Sequence, residues 1–243
     1  MNCYFLLEDS KSFIKILPEW LKFIGFKSTR VADITCVEEN NYILQSGCGV
    51  TQLITCGLFA TIDTIINSNK RIDSLVVILD SEEETVQARK RQVIEKIAEK
   101  YDARNLNFEI KIFVCNCCIE TWLSGRKNMY PLPIESNPNA ENYKCFSKHF
   151  ENHYYHYNIE INDPELMSIP DAKSETKARY HFHYFHDLCL YNFLSGKSPL
   201  KYTKSKPNIA MNEDFFDGLM ERIYDTDDLK SLKEFVCFLK SNT

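Results

Sequence analysis

The chain has 243 residues, of which 44% are hydrophobic and 26% charged, a composition that suits one well-buried core with room for a smaller helical addition. A formal net charge of −5 argues against a protein that coats nucleic acid by bulk electrostatics. No apolar run reaches the roughly 18 residues of a membrane span, and no basic, cleavable leader opens the sequence, so a cytoplasmic location is expected.

Cys3 to Leu7 reads as a buried strand that ends in Glu8 and Asp9. Asp9 or Ser10 can cap a helix whose Phe13, Ile14, Leu17, Leu21 and Ile24 follow the helical repeat, with Gly25 as its stop and Pro18 as a kink or a delayed start. Arg30 to Val37 alternates weakly and is expected to be a half-exposed strand, followed by another at Tyr42 to Leu44. The turn Gln45 to Gly49 opens a strongly periodic helix from Val50 to Ile66. Its G-x-G glycines could face an anion, but a tight turn is the simpler reading.

Leu75 to Leu79 is a continuous branched apolar run, as a strand covered on both faces requires, and it ends in Asp80, Glu82, Glu83 and Glu84. A charged helix from Glu83 to Tyr101, a strand from Glu109 to Val114 and a short helix over Asn116 to Leu123 follow. Strands alternating with helices predict an α/β fold, a Rossmann-like, mostly parallel sheet flanked by helices, over residues 1–130. Residues 131–243 read as a proline- and asparagine-containing loop, then helices at Ala172 to Leu194, Glu213 to Tyr224 and Asp227 to Lys240 packed on the first domain.

In parallel sheets ligands collect at the carboxyl ends of the strands, and the acids Glu8, Asp80, Glu82 and Glu120 are all expected at that edge. Mg²⁺ prefers oxygen ligands and is held by one or two carboxylates plus substrate phosphates, so this set could bind Mg²⁺ or Mn²⁺ and act on a phosphodiester. Glu83 and Glu84 are better explained as helix-start acids.

The ten cysteines, including the C-x-C-C of Cys115, Cys117 and Cys118, are expected to be reduced and mostly buried. Cys145, His149 and His153 have a spacing that could hold zinc, but the many neighbouring tyrosines make a polar, aromatic-rich helical interface the better account of them and of His181, His183 and His186. Arg89 to Arg91, and Lys197 to Lys206 with four lysines and no acid, are the two basic stretches that could line a groove, although a solvated face explains either. Arg126 and Lys127 read as a solvated loop. No Ser-His-Asp order, nucleophile elbow, Walker loop or dinucleotide fingerprint is present.

Leu6-Leu7-Glu8 and Ile78-Leu79-Asp80-Ser81-Glu82 together resemble the TOPRIM domain of topoisomerases, primases and nucleases of the overcoming-lysogenisation-defect type. In that family a strand ends in a catalytic Glu and a second ends in an Asp-x-Asp pair that binds Mg²⁺. Cys118 to Leu123 also resembles a segment of small TOPRIM-like proteins encoded beside ABC-type ATPases in bacterial antiphage defence. The family's Glu-Gly is Glu8-Asp9 here, and its second Asp is Glu82. The resemblance implies a metal-dependent nuclease cutting DNA or RNA, transfer RNA among the candidates, in a defence or toxin system. It implies Glu8 as general base or metal ligand, Asp80 and Glu82 as metal ligands and Glu120 as an auxiliary acid, with an ATPase partner and possible homo-oligomers. It also implies that either Arg126 or Lys127 could face a phosphate. A catalytically silent adaptor on the same scaffold is the alternative, and turnover of a small phosphorylated substrate a third reading.

Overall fold

A computed structural model describes residues 1–130, 148, 150, 152–154, 157–170 and 174–243. Most of the proline-containing loop, together with Cys145 and His149, lies outside the described residues.

The chain forms β1 (Cys3–Leu7), α1 (Phe13–Ile24), β2 (Thr29–Arg30), β3 (Asn41–Ser46), α2 (Val50–Asn67, with a π turn over Leu53–Gly57), β4 (Ser74–Asp80), α3 (Val86–Ala98), β5 (Glu109–Cys115) and α4 (Ile119–Leu123). Three longer helices follow among the described residues, α5 (Lys177–Leu194), α6 (Glu213–Asp225) and α7 (Lys230–Lys240). All strand pairings are parallel, in the order β2-β3-β1-β4-β5.

Strand periodicity sorts the side chains into two layers. Cys3, Phe5, Leu7, Val76, Ile78 and Phe113 face α1 and the C-terminal helices, whereas Tyr4, Leu6, Leu75, Val77 and Leu79 face α2 and α3. The first layer is continuous with Trp122, Phe185, Phe216 and Phe235, so the C-terminal helices share a core with the sheet. Trp20 shows the join: its ring packs against Phe13 and Phe216, and its Nε1–H donates to the Ala210 carbonyl at 2.9 Å.

Several expectations are corrected. The strand expected at Arg30 to Val37 shrinks to Thr29–Arg30, because Asp33 accepts the Thr35 N–H and turns the chain into a 3₁₀ segment at Ile34–Cys36. Pro18 neither delays nor divides α1, which runs from Phe13 through it to Ile24 and stops at Gly25 in the left-handed region. Cys36, Cys48, Cys56 and Cys237 are exposed rather than buried, and every described cysteine is free. Val50–Asn67, unlike any run noted in the sequence, is long and apolar enough to cross a membrane by length and composition. Here its Leu53, Ile54, Leu58, Ile62 and Ile65 cover the sheet.

Candidate active site at the carboxyl edge of the sheet

From β1 the chain continues through α1 to β2 and β3 on one side of the sheet, and from β4 through α3 to β5 on the other. The connecting helices α1 and α3 pack on opposite faces, so the ends of β1 and β4 flank a topological switch point, where parallel sheets leave a crevice. Glu8 leaves β1 there, its N–H donating to the Ile78 carbonyl at 2.9 Å. The glycine turn wraps this strand end: Gly47 N–H donates to the Leu7 carbonyl and Gly49 N–H to the Glu8 carbonyl. A Cβ on Gly47 would stand 2.7 Å from Leu53 Cβ, and Gly49 has φ +102°, so this is a structural turn whose N–H groups are engaged by the strand. Asp9 is likewise taken up locally, accepting the Lys11, Ser12 and Phe13 N–H groups as the cap of α1.

Glu8 and Asp80, 72 positions apart, meet directly: the Asp80 N–H donates to Glu8 Oε2 at 2.6 Å. Burial pushes the Glu8 carboxyl up to about 7; the Asp80 N–H and Lys204 oppose the rise, while the Glu82 and Asp9 charges add to it. Burial and the Glu8 and Glu120 carboxylates push Asp80 well above the ordinary carboxylate range. Glu120, in the first turn of α4, is fully buried. Its Oε1 accepts the Tyr202 hydroxyl at 2.8 Å and lies 3.7 Å from Lys204 Nζ, while its Oε2 has no hydrogen-bond partner. Burial lowers the Lys204 ammonium, but the Glu120 and Asp80 charges outweigh it and hold the group above its usual value.

Three of the four expected acids thus converge around one lysine. Glu82 takes a different course. Its backbone has φ +54°, its side chain is half exposed, and its Oε2 sits 3.5 Å from Arg89 Nη2. Arg89 is itself a correction to the basic-face reading: it is buried, and it donates to the Ser81 carbonyl at 3.0 Å, clamping the Asp80 to Glu82 turn from inside. Lys127 pairs with Glu221 and Asp225, and Arg126 lies over the Phe215 ring.

No family model, curated protein or solved structure matches this chain.

Lys204 and Tyr202 were not singled out by the sequence as site residues. The one signal was the acid-free lysine run around them, which the structure folds over the carboxylates and ties to α1 through Lys15 Nζ, donating to the Ser205 carbonyl at 2.7 Å. Behind Glu120, the Thr121 hydroxyl and His181 Nδ1 are 2.8 Å apart, and His181 Nε2 is 2.9 Å from the Met167 carbonyl. A carbonyl only accepts, so Nε2 carries a proton and donates it to the Met167 carbonyl. Buried His181 is therefore a clamp between α4 and α5. Buried Cys117 and Cys118 border the same hydroxyl.

Among the described residues no three His, Cys, Asp or Glu side chains stand in a metal-holding group. Mg²⁺, however, is commonly held by one or two carboxylates with waters and substrate oxygens. The all-oxygen donor set of Glu8 and Asp80, the raised affinity of both for a proton, and the unpartnered Oε2 of buried Glu120 fit a divalent cation at this edge.

Proposed function

We propose that the protein is a TOPRIM-like, Mg²⁺- or Mn²⁺-dependent phosphodiesterase acting on DNA or RNA, with Glu8 and Asp80 as the residues that would hold the cation. The observation that carries the reading is the convergence of Glu8, Asp80 and Glu120 with Lys204 at the switch point of a parallel sheet. The cation, when bound, supplies charge stabilisation at the phosphodiester oxygens. Where Asp80 alone holds the cation, Glu8, which in the metal-free protein titrates at about 7, can take a proton from an attacking water. Lys204 offers a positive charge to a phosphate oxygen, and Tyr202 positions buried Glu120, whose second oxygen has no hydrogen-bond partner. Glu82 has a lesser part in this scheme, since Arg89 engages it.

The chain's net charge of −5 leaves delivery of a polyanion to another component. With the resemblance of residues 118–123, this supports a role as a defence or toxin effector governed by an ATPase. One observation favours the alternative, a silent adaptor: Lys204 already supplies a cation to the carboxylates.

Cleavage of labelled DNA, total RNA and transfer RNA, with and without Mg²⁺ or Mn²⁺, tests the proposal. Metal-dependent cutting should fall by about 10²–10⁴-fold in Glu8→Ala and Asp80→Ala. Folded variants that cut as well as the parent would sink it, and failure of the parent to bind either cation by calorimetry would favour the adaptor.

A further inference from the structure

A second site lies apart from the carboxylates. A cavity of about 470 Å³ opens between the loop after α4, the end of α5 and the start of α6, within the roughly 300–1,000 Å³ range of small-molecule sites. Met129, Leu200 and Phe215 give it apolar walls, and Arg126 and Lys197 line it with two cations. Neither cation has a carboxylate partner within ion-pair distance among the described residues. Arg126 donates to the Lys127 carbonyl and lies 5.9 Å from the Phe215 ring centroid. Lys197 stands at the exposed rim; its partial burial lowers the ammonium, Glu160 opposes, and the smaller effect of the Arg126 charge lowers it further, so the two cations gain from an anion between them.

Asn192, also in the lining, is 3% exposed. Its Nδ2 donates to the Met129 carbonyl at 2.9 Å, which fixes the amide's orientation and leaves Oδ1 buried with no hydrogen-bond partner. A buried acceptor of this kind is costly unless something donates to it. Asp214 stands at the exposed rim, where it disfavours further negative charge.

We propose that this cavity binds a nucleoside monophosphate. The phosphate would lie between Arg126 and Lys197, an N–H or O–H of the ligand would donate to Asn192 Oδ1, and the flat base would pack on Met129, Leu200 and Phe215. Two cations suit a phosphate better than a carboxylate, and Asp214 selects a single phosphate over a triphosphate chain. The site goes beyond the phosphodiesterase reading and stands whether or not that reading holds. Its rim residues Lys197 to Leu200 lead straight into Tyr202 and Lys204, so an occupant sits on the segment that supplies the candidate active site with its lysine.

The test is isothermal titration calorimetry of the full chain with the 5′-monophosphates of adenosine, guanosine, cytidine and uridine, with adenosine triphosphate, and with inorganic phosphate. A chelator is present throughout, so the result does not depend on cleavage. At least one monophosphate should bind with 1:1 stoichiometry and a dissociation constant below about 1 mM. It should bind more tightly than the triphosphate or phosphate alone. Lys197→Glu, at an exposed position, and Arg126→Gln should each weaken it about tenfold or more. Because monophosphates could also be products of phosphodiester cleavage, Glu8→Ala is the control: it should leave this affinity unchanged. No binding below about 1 mM, binding lost in Glu8→Ala, or binding indifferent to Lys197→Glu would each overturn the proposal.

Discussion

Replacing Glu8 by glutamine isolates the electrostatic cost of the carboxylate cluster. The amide keeps the shape and an oxygen for the Asp80 N–H, but it cannot ionise. Glu8 in the folded protein titrates at about 7 against an ordinary 4.5, so the native state holds its proton more tightly than the unfolded chain. The stabilisation from the protonated group is fully present below pH 4.5, declines as pH rises and is lost above about 7. At about 1.4 kcal/mol per pH unit this gap sets a ceiling of about 3 kcal/mol, and partial solvent access at Glu8 brings the expected figure to about 1–2 kcal/mol. Urea unfolding of parent and Glu8→Gln at pH 5 and pH 8 reads it directly. The parent should lose about 1–2 kcal/mol more than the variant between the two. Buried Glu165, also raised to about 7, adds a pH dependence of the same sign that cancels in the comparison. Added Mg²⁺ should restore the parent at pH 8 and leave the variant nearly unmoved. Parallel pH profiles for the two proteins would refute the idea that burial and like charge strain this cluster.

Other substitutions test the framework that holds the site. Phe235 is fully buried, stacks on Trp122 at 5.7 Å and meets Phe13 and Phe113; Phe235→Ala should cost about 3–5 kcal/mol in thermal or chemical unfolding, and a loss under about 1 kcal/mol would contradict a core shared by sheet and C-terminal helices. Thr121→Val removes the hydroxyl between Cys117 N–H and His181 Nδ1 and should destabilise by about 1–3 kcal/mol, with the His181 ring resonances shifting in NMR spectra. Gly49→Ala forces a side chain into φ +102° and should cost about 1–3 kcal/mol by the same unfolding assay. Lys204→Ala leaves the buried Glu120 carboxylate without its neighbouring cation; the proposed phosphodiesterase activity should fall, and the fall should be larger than in Lys206→Ala, an exposed lysine of the same run.

What the sequence by itself determined is what periodicity and termination encode locally. The unbroken apolar runs at 3–7 and 75–79, the second rich in branched residues, read as strands covered on both faces, and each is followed at once by a carboxylate, so the placing of Glu8 and Asp80 at one sheet edge was legible from pattern. The 3.6 repeat and Gly25 likewise delimited α1. Where alternation was weak, at Arg30 to Val37, a local Asp33 hydrogen bond overrode it.

Only the tertiary structure decided which partners those carboxylates meet. Tyr202 reaches Glu120 across 82 positions, and Lys204 follows on the same segment, because α5 and the chain after it pack on the first face of the sheet. Arg89 looked like part of a solvated basic run, yet α3 turns it inward onto the Ser81 carbonyl and thereby draws Glu82 aside. A residue's own neighbours in sequence set its element and its face. Its electrostatic environment is set by whichever distant segments the core brings against it, and no local periodicity carries that information.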